Sequence, residues 1–136
     1  MEEIKEKDVN VDGKRLKLLN KDGKWVFPFV TYYQHGLGSP ICLELLEYVE
    51  DRNEFEPEAV ITVNLPDRER SAGCQFIDTN NNGKEIMDWL ALYGLCVPTG
   101  RYAVSGYCKY PEVDFYQSER FLKQKELCDR YFNFVG

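Results

Sequence analysis

The sequence predicts an α+β fold, in which an antiparallel sheet of about five to six strands carries one core-facing helix and a C-terminal helix. Three observations support this prediction. Short apolar segments separated by turn residues fill most of the chain, an apolar stripe at helical spacing follows residue 84, and a capping serine precedes the last helical segment. Because 136 residues are enough for one domain with a substantial core, 1–136 is interpreted as a single domain.

The first predicted element is a hairpin of strands 15–19 and 24–30. They flank Asp22-Gly23, a dipeptide typical of tight turns because it tolerates the positive backbone angles that such turns need. Pro28 has no amide hydrogen to donate, so the second strand is either an edge strand or is interrupted there.

Four further strands are predicted. Segments 41–49 and 59–65 form a central pair joined by an acidic loop, and residues 59–65 alternate with the period of two that places one apolar face inward. Segment 74–78 follows a charged connection, and the last strand covers 112–116. These strands are expected to form an antiparallel meander.

The helix predicted over 84–93 is supported by four apolar residues at i, i+3, i+4 and i+7: Ile86, Trp89, Leu90 and Tyr93. Gly94 is placed to end this helix in a left-handed conformation. Ser118 is predicted to cap a helix over about 118–132. The aromatic residues Tyr131, Phe132 and Phe134 either close the core or form a seam between two copies of the chain, which leaves a homo-oligomer open.

Composition excludes several classes of protein. A net charge of -6 and a pI near 4.9 argue against direct binding to a nucleic-acid backbone, which requires a basic face. No apolar run approaches the roughly 18 residues of a membrane-spanning helix, so no membrane association is expected. The charged N-terminus has no apolar region typical of a signal peptide, and a cytoplasmic location is expected.

Cysteine and histidine usage predicts no metal site and no disulfide framework. The five cysteines are an odd number, are far apart in sequence and lack C-x-x-C spacing, and His35 is the single histidine. Free thiols are therefore expected, and no cofactor is implied.

An acidic stretch joins the two central strands. Its candidate partner-binding residues are Glu47, Glu50, Asp51, Glu54 and Glu56. One interpretation is a solvated strand face and loop. The other is an acidic surface that binds a basic partner, such as the nucleic-acid channel of another protein.

A second candidate site combines polar residues from three segments: Asn80, Asn81, Thr99, Gly100, Arg101, Ser105 and Tyr107. Helix amides, an arginine and an aromatic ring would together hold a small anionic ligand such as a nucleotide. The alternative is that capping and turn chemistry explains the same residues without a ligand.

The sequence predicts no catalytic residues. His35 lies in a glycine-rich loop without the sequence pattern of a catalytic Cys-His pair. Asp78, Glu85 and Asp88 cluster near a helix start, where acidic residues favour the helix dipole. A small enzyme that acts on a nucleotide through Asp78 or Glu85 remains an alternative.

Three short blocks resemble a family of bacterial and phage proteins, domain of unknown function 4313. They are FIDTNN at 76–81, PTGR at 98–101 and SGYCKYP at 105–111, where family members carry FVDTNN, PTG and SGFCTYP. This chain has Tyr107 in place of Phe and Lys109 in place of Thr. The resemblance spans about 39–116, with residues 1–38 and the C-terminal helix as additions to it.

Members of this family occur on phages and mobile elements, and the resemblance therefore implies a function for this chain. It implies a non-enzymatic interaction protein that counters host defence, with the acidic surface inhibiting a host immune effector. A sponge that sequesters a nucleotide messenger is the alternative that the second candidate site favours.

Overall fold

The structure, a computed structural model, describes residues 3–133. One sheet contains Glu6–Val11 (β1), Lys14–Lys21 (β2), Lys24–Tyr32 (β3), Ile41–Val49 (β4) and Glu54–Val60 (β5), paired in that order. The other contains Thr62–Val63 (β6), Cys74–Ile77 (β7), Val97–Ser105 (β8) and Cys108–Asp114 (β9), in the order β6-β7-β9-β8. The helices are Thr79–Asn82 (α1), Glu85–Leu92 (α2) and Glu119–Tyr131 (α3). Both sheets are antiparallel, and the predicted α+β fold is confirmed, but the strands form two sheets in place of the single meander that was expected.

Two Asp-Gly turns build the first part of the larger sheet. The predicted turn connects β2 to β3, with positive φ at Asp22 and Gly23. Asp12 and Gly13 adopt the same conformation and connect β1 to β2. β1 was not predicted because its sequence, EKDVNV, is mostly polar and no residue of it is fully buried.

Pro28 lies inside a continuous β3, at a place where its missing amide costs no strand hydrogen bond. β2 stops pairing with β3 at Val26, so the next part of that edge is free to meet α3. The Gln124 side chain donates to the Pro28 carbonyl (2.6 Å), and the Val30 amide donates to Cys128 Sγ (3.4 Å). The strand is locally an edge, as the first of the two predicted alternatives requires.

The predicted strand 59–65 is wrong as one element, because the chain passes from one sheet to the other at Ile61. The Ile61 amide donates to the Leu43 carbonyl, and its own carbonyl accepts from Asp78, both at 2.8 Å. Sequence periodicity did not reveal this change because Ile61 is fully buried and continues the apolar alternation. The preceding acidic loop is a short 3-10 turn, Glu50–Arg52, followed by β5.

Asn80, Asn81 and Asn82 belong to the short helix α1, which precedes α2. Asp78 caps α1 by accepting from the Asn81 amide (3.0 Å), and Asn82 donates to the Val60 carbonyl (2.8 Å). The core-facing helix is confirmed as α2. Gly94 has φ +63° as predicted, and the Leu95 amide closes the helix end on the Leu90 carbonyl (3.0 Å).

α3 packs against its own chain. Ser118 Oγ accepts from the Phe121 amide (2.9 Å) and donates to the Gly94 carbonyl (2.5 Å), so it both caps α3 and fixes it to the end of α2. Phe132 packs against Phe27 (6.0 Å between ring centroids) and supports the interpretation that these aromatic residues close the core. Phe134 lies outside the described residues.

Replacing Ser118 with alanine should lower the free energy of unfolding by about 1–2 kcal/mol, because the cap and the bond to Gly94 are both lost. Urea denaturation followed by circular dichroism measures this. Ser105→Ala, at an exposed position, should cost less than about 0.5 kcal/mol. Equal losses in the two variants would contradict the role of Ser118.

All five cysteines are free thiols. Over residues 3–133, no helix is both long and apolar enough to cross a membrane.

Candidate functional site

The structure brings only part of the predicted ligand site together. Thr99, Gly100 and Arg101 form a bulge in β8, where its register with β9 shifts. Ser105 and Tyr107 lie at the β8–β9 hairpin tip, whereas Asn80 and Asn81 belong to α1. Within the described part of the chain, no hydrogen bond joins these three groups.

The β8 bulge neutralises a buried carboxylate. Glu112 Oε1 accepts from Thr99 Oγ1 (2.8 Å), Arg101 Nε (2.9 Å) and Arg101 Nη2 (2.8 Å). The Glu112 side chain is only 3% exposed, and its hydrogen bond raises the pKa of Arg101. Gly100 permits the bulge with φ +87°. Arg101 therefore has a structural role, but 64% of its side chain remains exposed.

The exposed part of Arg101 lines a cleft of about 560 Å³, which we call the arginine cleft. Its other walls are the loop at Gly36 and Leu37 and the connection between β6 and β7, from Leu65 to Ser71. The volume is within the usual range for small-molecule sites, roughly 300–1,000 Å³.

Arg68 and Arg70 give this cleft its chemical character. Each donates to a backbone carbonyl at 2.7 Å, Arg68 to Val104 and Arg70 to Leu37. Among the described residues neither has a carboxylate within 4.0 Å, although the other five of the seven arginines each form an ion pair. The two arginines without an acidic partner thus line the same cleft.

Cys74, at the start of β7, is a buried thiol with a raised pKa. Burial raises the pKa of Cys74, and the carboxylates of Asp114 and Glu112 raise it further, whereas Arg101 and Arg70 lower it.

Asp67 and Glu69 also line the cleft. In the part of the chain that the structure describes, neither carboxylate is within 4.0 Å of a lysine or arginine nitrogen. The cleft consequently offers arginine donors, carboxylate acceptors and an apolar wall from Leu37, Leu65 and Pro66.

Comparison with known proteins identifies the family. The model of the family "Domain of unknown function (DUF4313)" matches residues 42–136, well over half of the chain. The chain belongs to the DUF4313 family. The match includes α3 and extends past the segment 39–116 over which the three blocks resemble the family, whereas β1–β3 precede it. Neither the curated proteins nor the solved structures gave a match.

The acidic residues predicted to bind a partner lie together on one hairpin of this DUF4313 protein. Glu47 is in β4, Glu50 and Asp51 are in the 3-10 turn, and Glu54 and Glu56 are in β5; we call these five residues the acidic hairpin. Glu47 lies directly opposite Glu56, a like-charge pair that disfavours the sheet.

Compensation of this charge is partial. Arg52 forms ion pairs with Glu54 (3.6 Å) and Glu56. Across the described ranges, neither Glu50 nor Asp51 has a basic side chain within 4.0 Å. The turn therefore presents uncompensated negative charge to solvent.

The carboxylates considered for catalysis have local structural explanations in this DUF4313 chain. Asp78 caps α1 and also accepts from the Asn81 side chain (2.7 Å). Glu85 and Asp88 occupy the first turn of α2, as the dipole interpretation predicts. Over the described residues, no group of three or more His, Cys, Asp or Glu side chains is placed to hold a metal ion.

Arg101 was among the site residues predicted from the sequence, whereas Arg68 and Arg70 were not. The segment from Pro66 to Gly73 was predicted only as a charged connection between strands. The absence of an acidic partner is a tertiary property, and no local pattern in the sequence reports it.

Proposed function

We propose that this DUF4313 protein binds a small phosphorylated ligand of nucleotide size in the arginine cleft without transforming it. The observation that carries the proposal is the position of Arg68 and Arg70, which line one cleft and have no carboxylate partner among residues 3–133. Guanidinium groups without an acidic partner are suited to bidentate contacts with phosphate.

The cleft supplies groups for both the phosphate and the nucleoside part of a nucleotide. Arg68 and Arg70 each donate one N–H group to a backbone carbonyl, which leaves further N–H groups for phosphate oxygens. Asp67 and Glu69 would accept hydrogen bonds from ribose hydroxyls or base amino groups. Inorganic phosphate would engage only the arginines, so a nucleotide should bind more tightly.

Two carboxylates outside the cleft lining, Glu112 and Asp78, have structural roles, whereas the cleft carboxylates Asp67 and Glu69 stay available as hydrogen-bond acceptors. Glu112 is held by Arg101 and Thr99, and Asp78 caps α1. Both side chains are engaged in folding contacts, and a proton-transfer role would require these contacts to break.

The double variant Arg68→Ala/Arg70→Ala should weaken ligand binding at least about 100-fold, because two charge-assisted contacts are lost. Isothermal titration with ribonucleoside monophosphates, a cyclic dinucleotide and inorganic phosphate measures the effect. The thermal midpoint should fall by no more than about 3 °C, since both lost hydrogen bonds are at the surface.

The matched control is Arg15→Ala/Arg130→Ala, which removes the same charge outside the cleft. It should leave the affinity unchanged. Equal weakening by both double variants would indicate a general charge effect, and unchanged binding in Arg68→Ala/Arg70→Ala would refute the site.

A second candidate function is inhibition of a host immune effector by the acidic hairpin, as the family resemblance implies. The observation that favours it is the Glu47–Glu56 pair, which keeps like charges opposite each other at a cost in stability. A basic surface on a partner protein would relieve this repulsion.

Charge reversal tests this second candidate. Changing Glu47, Glu50 and Asp51 to lysine should abolish capture of a basic partner from an extract of a bacterial host. Reversal of Glu119 and Glu126 on α3 should not. Capture that survives reversal of the hairpin would refute the acidic-surface mechanism.

A further inference from the structure

A second concave region lies between the β1–β2 hairpin and the first half of α3, and we call it the helix groove. Its volume is about 370 Å³, and it shares no lining residue with the arginine cleft. Leu19, Pro28 and Leu95 are buried and form its floor, with Leu127 alongside them. The floor is therefore apolar.

The rim of the helix groove carries an excess of positive charge. Lys17, Arg120 and Lys123 line it together with one carboxylate, Glu6. Glu6 forms ion pairs with Arg120 and with Lys17, and the Lys17 pair has a distance of 3.7 Å. Lys17 also forms an ion pair with Asp8 (3.3 Å). In the described ranges Lys123 has no carboxylate within 4.0 Å.

An apolar floor with a cationic rim is complementary to one class of small molecule. We propose that the helix groove binds a single-chain anionic amphiphile of the fatty-acid class. The chain lies on Leu19, Leu95 and Leu127, where its burial is favourable, and the carboxylate lies at Lys123. The volume, near the lower end of the usual range of about 300–1,000 Å³, favours a medium-length chain.

Decanoate, below its micelle-forming concentration, is the probe. Titration followed by amide chemical shifts of the full chain should show saturable binding. The perturbed amides should be those of Leu95, Lys123 and Leu127, whereas those of Leu37 and Arg70 should stay unchanged. Decanol should bind at least about tenfold more weakly, because it lacks the charged head group.

Two matched variants of α3 test the head-group contact. Lys123→Glu should weaken decanoate binding by about tenfold or more. Arg130→Glu has an equal change of charge at the far end of α3 and should change the affinity less than about twofold; among residues 3–133 Arg130 forms an ion pair with Glu126 alone. Both side chains are exposed, so folding should be preserved.

Three results would overturn this inference. They are the absence of saturable decanoate binding, equally tight binding of decanol, and perturbed amides confined to the arginine cleft. Because the groove and the cleft share no lining residue, failure here leaves nucleotide binding at Arg68 and Arg70 to be judged by its own titration.

Discussion

Replacing Phe121 with alanine should lower the free energy of unfolding by about 4 kcal/mol, since the change leaves a cavity in the core. Phe121 is completely buried in α3, and its ring lies 4.5 Å from that of Phe115, centroid to centroid. Phe115 directly follows β9, so the contact joins α3 to the smaller sheet. Loss of Phe121 should therefore loosen α3 as a unit.

Guanidinium denaturation followed by tryptophan fluorescence measures this loss. Leu122→Ala is the matched control, because Leu122 is the next residue of α3 and is 41% exposed; it should cost less than about 1 kcal/mol. Similar losses in both variants would show that α3 does not pack on its own domain. The alternative of a seam between two copies would then be favoured.

Arg101→Ala should lower the midpoint of thermal unfolding by about 10 °C, although the Arg101 side chain is largely exposed. The cause lies in Glu112, whose buried carboxylate would lose both of its arginine contacts and, among the residues that the structure describes, keep Thr99 as its one side-chain partner. A buried charge without a cationic partner strongly disfavours the folded state.

The double variant Arg101→Ala/Glu112→Gln should recover more than half of this loss, because a neutral amide needs no counter-charge. Differential scanning calorimetry compares these variants with Arg70→Ala, which should change the midpoint by less than about 3 °C. An Arg101→Ala protein as stable as Arg70→Ala would contradict the role assigned to Glu112. Arg68 and Arg70 are therefore better suited than Arg101 for testing ligand binding, because their replacement should affect stability less.

Elements defined by local chemistry were predictable from the sequence. The apolar stripe of α2, its glycine end at Gly94 and the cap of α3 at Ser118 each depend on residues within one or two turns. β1, β8 and the change of sheet at Ile61 were not predicted, and the last strand, predicted over 112–116, is β9 at Cys108–Asp114. β1 is mostly polar, and Ile61 continues an alternation that both sheets bury.

The candidate site was less predictable than the fold. Arg101 was predicted as a site residue because of the residues next to it in sequence. Its ion pair with Glu112 depends on the pairing of β8 with β9, which the sequence did not predict. Asn81 was predicted as a candidate ligand-binding residue, whereas its backbone amide and its side chain both donate to Asp78. Arg68 and Arg70 were not predicted, because their lack of an acidic partner depends on which carboxylates the fold places around them, and sequence patterns do not supply this information.

The central claim is that the arginine cleft holds a phosphorylated ligand, and amide chemical-shift mapping during titration with ribonucleoside monophosphates and a cyclic dinucleotide tests it most directly. We predict saturable shifts at the amides of Gly36, Leu37, Leu65, residues 67–71 and Arg101, and their loss in Arg68→Ala/Arg70→Ala. Shifts confined to residues 79–82, or no saturable shift with any of these nucleotides, would contradict it.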